Sequence, residues 1–163
     1  MIRQFSLHDD DTVRQIWSLQ HIAYRIEAEM IGAKELPPLM DTMESLRSCG
    51  ETFYGEVDED GEIHGVVAVL REKPDTLTIT RMMVHPDYGR KGIGSQLLNH
   101  VFAQHSQVPL YIVSTGTLNE PAVGLYRKAG FEPVEAFDVA PGVELTTFHR
   151  HNPNAVQTDN REE

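Results

Sequence analysis

Several things that this sequence lacks exclude whole classes of protein. It has a single cysteine, Cys49, so no disulfide can form within the chain. Its apolar runs are all shorter than the ~18 residues of a membrane span. The opening residues, Met1 to Phe5, show no basic stretch followed by an apolar one, so no signal peptide is expected. Together these absences predict a protein without a membrane segment, in the reducing setting of the cytoplasm.

Basic residues are also scarce, with 14 Lys and Arg against 25 Asp and Glu and a net charge of −11. Binding to nucleic acid needs clustered basic side chains, so we expect no nucleic-acid partner. The charge is uneven, however, because residues 71–130 hold seven basic and four acidic side chains. This pattern is either chance scatter or the mark of a local anion site.

Hydrophobic periodicity predicts strands and helices in the order β-α-α-β-β-β-α-β-α-β-β. Gly32 is expected to stop the first helix, and Asp41 with Glu44 to open the second as a capping box. The order is typical of the α/β class, as a single α+β domain with a mixed sheet flanked by helices. We place this domain at residues 1–150. Residues 151–163 contain few apolar side chains and are predicted to form a polar, mobile C-terminal tail.

The first motif that suggests chemistry is the loop between Val84 and Ser95, where a predicted strand gives way to a helix. Backbone N–H groups at a helix start can converge on one anion, and the helix dipole assists them. Gly92 and Gly94 would let a phosphate approach without obstruction by a Cβ atom. The loop is neither a Walker loop nor a complete dinucleotide-binding fingerprint. A tight turn without a ligand is the alternative interpretation.

The second motif runs from Asn119 to Phe131 and follows a predicted buried strand. Asn119 is of a residue type that caps helices. Tyr126 is either a core aromatic whose hydroxyl bonds to the backbone or a functional residue, and its spacing alone leaves both open.

In this order and spacing, the two motifs resemble the Gcn5-related N-acetyltransferase (GNAT) family. The family's anion loop reads Gln/Arg-x-x-Gly-x-Gly/Ala and aligns with residues 89–94, where Gly89 departs from the pattern and Arg90 offers a replacement charge. The family's second signature, Asn-x-x-Ala-x-x-Leu-Tyr-x-Lys-x-Gly-Phe, is matched by Asn119, Ala122, Leu125, Tyr126, Lys128, Gly130 and Phe131.

This resemblance implies a GNAT-like acyl-CoA N-acyltransferase fold with a mostly antiparallel central sheet. It also implies transfer of an acetyl group from acetyl-CoA, as cosubstrate and without a metal, to a primary amine. Met83 and Val84 would pair with the cofactor arm, which Asn119 would also contact, and Tyr126 would lie near the sulfur. The pyrophosphate would be held by the N–H groups of Arg90, Lys91, Gly92, Ile93, Gly94 and Ser95, and Gly89 would be a further cofactor-binding residue.

Such a reaction requires two proton transfers. An alkylammonium with a pKa near ~10.4 must lose a proton, and a thiolate whose thiol has a pKa of about 8.5 must gain one. A tyrosine within hydrogen-bond reach of the sulfur can donate that proton, so Tyr126 is the candidate general acid. Strand 76–84 lacks the glutamate that some family members carry there. The base is therefore left open between a water chain, Glu27 and His85.

The acceptor is expected near the apolar loop 36–40, with Tyr24, Glu27 and Tyr54 as lining residues; packing of this loop on the sheet is the alternative. The acceptor itself, a small molecule or a protein amine, is not specified by the sequence. The resemblance allows a monomer or a homodimer. A catalytically silent acyl-CoA-binding sensor is the alternative function, and a nucleotide-binding module is a third.

Overall fold

The computed structural model describes residues 1–153 and 155, and within them a mixed sheet lies between two layers of helices. The described helices are α1 (Asp10–Ile31), α2 (Met43–Arg47), α3 (Ile93–Gln104) and α4 (Glu120–Lys128). The described strands are β1 (Ile2–Gln4), β2 (Thr52–Val57), β3 (Ile63–Lys73), β4 (Thr76–Val84), β5 (Leu110–Gly116), β6 (Glu132–Ala140) and β7 (Val143–His151). This confirms the predicted order of elements and the predicted fold class.

The described strands join into one sheet in the order β1-β2-β3-β4-β5-β7-β6. Neighbours pair antiparallel except β4 and β5, which are parallel. On one face α1 and α2 pack through Ile16 and Leu46 against Phe53 of β2. On the other face α3 and α4 pack through Leu97 and Tyr126. The sheet is thus covered on both sides at its centre.

A β-bulge in β4 opens the centre of this sheet. Ala68 of β3 lies opposite Arg81 and Val69 lies opposite Ile79, which leaves Thr80 as the extra residue. Such a bulge bends the strand and reverses its side-chain alternation. Among the described residues, β4 accordingly pairs with β5 only as far as Ile79 and Val113. We call the gap between residues 80–84 and 114–116 the wedge.

Two helix boundaries test the sequence prediction. Gly32 does end α1, with a left-handed φ of 74° that glycine adopts without strain. The capping box of α2, however, is formed by Thr42 and Ser45, so the predicted Asp41 and Glu44 pair is wrong. The carboxylate of Asp41 instead bonds to buried side chains, among them Arg81.

The end of the described chain bonds to the loop between α3 and β5. β7 ends at His151, and the Asn152 side chain donates to the carbonyl oxygens of Ser106 at 2.7 Å and Val108 at 3.0 Å. Most of the predicted tail, residue 154 and residues 156–163, lies outside the described residues. None of the described helices combines the length and the hydrophobicity that a membrane crossing demands.

Candidate active site

The wedge brings together side chains from distant parts of the sequence. Tyr24 and Glu27 reach it from α1, Met82 from β4, and Asn119 and Tyr126 from the start and the middle of α4. The bulge leaves an opening beside β5, and α1 crosses above that opening. The fold therefore gathers these side chains around one cleft, and the sequence analysis proposed all of them except Met82.

Backbone groups of β4 face the wedge in a register that differs from the predicted one. The N–H of Met82 donates to the hydroxyl of Tyr24 at 3.2 Å, so it points away from β3. Because backbone groups alternate along a strand, Val84 faces the wedge as well, whereas Met83 faces β3. The Met83 side chain is also buried among α1 residues. The N–H of Met82, and not that of Met83, thus faces the wedge, because the bulge shifts the register by one residue.

Glu27 is held in the wedge by donors from two neighbouring segments. Its Oε2 accepts hydrogen bonds from Thr115 Oγ1 at 2.9 Å, Asn119 Nδ2 at 2.9 Å and the Gly116 backbone N–H at 3.3 Å. The Oδ1 atom of Asn119 accepts a hydrogen bond from the N–H of Ala122 at 3.3 Å, so Asn119 caps α4, as predicted. One asparagine therefore connects the start of α4 to the carboxylate on α1.

Both tyrosines of the wedge remain protonated at neutral pH. Burial is the largest cause that raises the pKa of Tyr126 well above its usual range, and nearby Tyr24 and Glu27 add to it. Burial likewise raises the pKa of Tyr24. The ring of Tyr126 packs edge to face on Phe131, with the centroids 5.7 Å apart. Each hydroxyl thus carries its proton at the wedge, and the Tyr126 ring is fixed by core packing.

The loop before α3 leads into the helix through two residues with left-handed backbone. Arg90 and Gly92 adopt left-handed φ angles of 65° and 77°, and the first backbone bond of α3 runs from the N–H of Gln96 to the oxygen of Gly92. The N–H groups at positions 93–95 therefore lack intrahelical acceptors. Arg90 is exposed, and so is its neighbour Lys91.

The structure shows a packing role for Gly94 besides the phosphate contact that the sequence predicts. A Cβ atom there would lie 3.0 Å from Leu125 Cδ2, so this glycine permits close packing of α3 on α4. Gly89 is exposed and has an ordinary φ of −63°.

Comparison with known proteins identifies the family to which this arrangement belongs. Residues 50–133 match the family model described as "Acetyltransferase (GNAT) domain". The chain belongs to the GNAT acetyltransferase family. These enzymes transfer acetyl groups from acetyl-CoA to amine acceptors, and the matched residues include β4, the loop before α3 and all of α4.

The GNAT chain is similar to proteins of several kinds. It is 35% identical over 155 residues to the UPF0157 protein YqkA of Bacillus subtilis, covering 94% of this chain and 45% of YqkA. It thus spans less than half the length of that relative. The fold is similar to the ribosomal-protein-S18-alanine N-acetyltransferase of Escherichia coli, with a TM-score of 0.72, 17% identity and coverage of 97% and 98%. It is also similar to an aminoglycoside 6'-N-acetyltransferase complexed with coenzyme A, with a TM-score of 0.74, 13% identity and coverage of 93% and 96%.

Two residues proposed from sequence lie outside the wedge of this GNAT domain. The side chain of Tyr54 packs on the α3 side of the sheet, and its hydroxyl lies 2.9 Å from His105 Nε2. It does not join Tyr24 and Glu27. His85 precedes a 3-10 turn, where its Nδ1 accepts from the N–H of Asp87 at 3.1 Å. It is therefore held at the far end of β4.

A buried charge network beneath the wedge was not predicted. Arg81 forms two parallel bonds to Glu51, each 2.9 Å, and also donates to Asp41 at 2.6 Å and to Gln20 at 2.8 Å. Burial alone would raise the pKa of Glu51, but bonds from Arg81 and Thr80 hold it below its usual value. The pKa of Asp41 is lowered in the same way, despite burial, by Ser45, Arg81 and Gln20.

The network also holds the predicted acceptor loop in place. Gln20 Nε2 donates to the carbonyl of Pro38 at 2.7 Å, and Leu36 is buried against Ala28 and Ile31 of α1. The loop thus packs on α1, while Met40 remains exposed. One signal in the sequence points to such a network. Strand β4 is rich in β-branched residues but contains a single arginine, and the first 60 residues of the chain are strongly acidic.

Proposed function

We propose that this chain transfers an acetyl group from acetyl-CoA to a primary amine by direct attack of the amine in a ternary complex. The observation that carries the proposal is the wedge, in which backbone groups of Met82 and Val84 that do not pair with β5 in the described structure lie in one cleft with Tyr126. An exposed strand edge can pair with an extended amide-bearing ligand in the manner of an added strand. The pantetheine arm of coenzyme A is such an extended ligand that carries amide groups.

The remaining contacts of acetyl-CoA follow from the position of the loop. The N–H groups at positions 90–95 would hold the pyrophosphate, with Arg90 and Lys91 adding positive charge. The N–H of Met82 would face the thioester oxygen, where negative charge develops during attack. In the described structure the Tyr24 hydroxyl accepts a hydrogen bond from that N–H. The Tyr24 hydroxyl would therefore have to move away when the thioester oxygen binds there.

Tyr126 is the proposed general acid for the departing thiolate. Its raised pKa keeps the hydroxyl protonated, and core packing fixes its ring. A protonated hydroxyl within hydrogen-bond reach of the sulfur is what the departing thiolate requires.

A screen for thiol release tests this function. Acetyl-CoA is supplied with an amine panel that includes peptide N-termini, lysine side chains, aminoglycosides and free amino acids, and calorimetry measures binding of acetyl-CoA separately. We expect thiol release that depends on one class of amine. Tight binding of acetyl-CoA without transfer to any amine would instead favour the acyl-CoA sensor.

A further inference from the structure

We propose that Glu27 accepts the proton of the acceptor amine during acetyl transfer. This inference rests on the proposed function and assigns the base that the sequence left open. Among the described residues that line the wedge, Glu27 is the only carboxylate. It shares the wedge with Tyr126, so the base and the acid of the reaction would face one reacting centre.

The hydrogen bonds of Glu27 leave it one oxygen for chemistry. All its hydrogen bonds within the described residues go to Oε2, from Thr115, Gly116 and Asn119. Three donors on one oxygen fix the carboxylate in position. Oε1 then remains to approach an ammonium group and take a proton from it.

The other candidate bases form their contacts outside the wedge. Glu51 and Asp41 are paired with Arg81, and their lowered pKa values make them poor proton acceptors. His85 lies in the turn beyond β4, where its ring accepts from the Asp87 N–H. Neither Asp41, Glu51 nor His85 lines the wedge among the described residues.

The step balances in atoms and charge. Glu27 Oε1 takes a proton from the ammonium group, and the freed nitrogen lone pair forms the new C–N bond at the thioester carbon. The nitrogen, which then carries a positive charge, loses its second proton to solvent. The C–S bond breaks, and the thiolate receives the proton of the Tyr126 hydroxyl. Exchange with solvent then returns a proton to Tyr126 and removes one from Glu27.

The variant Glu27→Gln separates proton transfer from structure, because its amide oxygen can still accept the three hydrogen bonds. We expect kcat/KM to fall about 100-fold at pH 7, the lower range for loss of a general base. The deficit should shrink toward pH 10, where solvent deprotonates an alkylammonium of pKa ~10.4 without help. Affinity for acetyl-CoA, measured by calorimetry, should stay within about twofold.

Two further variants complete the test. Glu29→Gln removes an exposed carboxylate from the same helix and should leave kcat/KM unchanged. Glu27→Asp retains a shorter carboxylate, so it should lose less activity than Glu27→Gln, and its smaller deficit should likewise shrink toward pH 10. If Glu27→Gln does not fold, as judged by thermal melting, the pH dependence of kcat/KM in Glu27→Asp tests the proposal instead.

The inference is overturned if an active wild type loses nothing in Glu27→Gln, or loses the same factor at every pH. It is also overturned if kcat/KM of Glu27→Asp is lowered by the same factor at every pH. A wild type that releases no thiol with any amine contradicts the proposed function instead, and calorimetry with acetyl-CoA shows that outcome independently.

Discussion

Tyr24 and Tyr126 both line the wedge, but different contacts hold their side chains in place. The hydroxyl of Tyr24 accepts from the Met82 N–H, so it is tied to the backbone group proposed for the thioester oxygen. Tyr126 is set by ring packing against Phe131 and Phe148. A residue whose position depends on packing keeps that position when its hydroxyl is removed, which makes Tyr126 suitable for a clean substitution.

Tyr126→Phe should lower kcat by about 100-fold or more, because the thiolate must then leave without a proton donor. The affinity for acetyl-CoA should change little, since the ring remains. Steady-state kinetics and calorimetry measure the two quantities. Tyr111→Phe is the matched control, because that buried hydroxyl donates to the His105 carbonyl away from the wedge. Unchanged turnover in Tyr126→Phe, with chemistry limiting the rate, would remove Tyr126 from the mechanism.

At the scale of elements, the sequence predicted the order of helices and strands because each amphipathic pattern is local. It did not predict the bulge at Thr80, since a bulge depends on how β4 meets β3 and β5. Met83 was therefore proposed where Met82 stands. Tyr54 was misplaced for a related reason, because Phe53 and Tyr54 are both buried in a sheet covered on two sides. Alternating hydrophobicity cannot then show which face a residue takes.

The loop before α3 can be tested as an element. Reversing both Arg90 and Lys91 to glutamate should weaken coenzyme A binding roughly tenfold at low salt, the sum of two exposed ion pairs. The difference should shrink at 1 M salt, where charges are screened beyond about 3 Å. Titration calorimetry at two salt concentrations measures this effect.

The same charge change at Arg71 and Lys73, at the distant end of β3, is the control and should leave binding unaltered. Equal affinity of the Arg90 and Lys91 variant and the wild type at low salt would mean that the uneven charge of the chain has no part in binding.

At the scale of the whole molecule, the buried network joins α1, the loop after it, the residue before β2, and β4. Its two carboxylates have pKa values below their usual 3.8 and 4.5 in the folded protein. A lowered pKa contributes stability that is present above the unfolded value and is lost as pH falls through the folded value. The network should therefore stabilise the fold fully above about pH 5 and progressively less below it.

Urea unfolding at a series of pH values tests this contribution. The free energy of unfolding of the wild type should fall steeply below about pH 5. Glu51→Gln should be less stable at pH 7 and should show a shallower fall, because one titrating group of the network is gone. The exposed Glu35→Gln should follow the wild type. A Glu51→Gln curve parallel to that of the wild type would show that Glu51 titrates alike in the folded and unfolded states.

The central claim is that the wedge and the loop before α3 form one acetyl-CoA site. Amide chemical shifts measured by NMR during titration with acetyl-CoA test it most directly. We expect the largest changes at Met82, Val84 and residues 90–95, and little change along β6 at the far edge of the sheet. Saturable changes that cluster elsewhere, with those amides unmoved, would contradict the account.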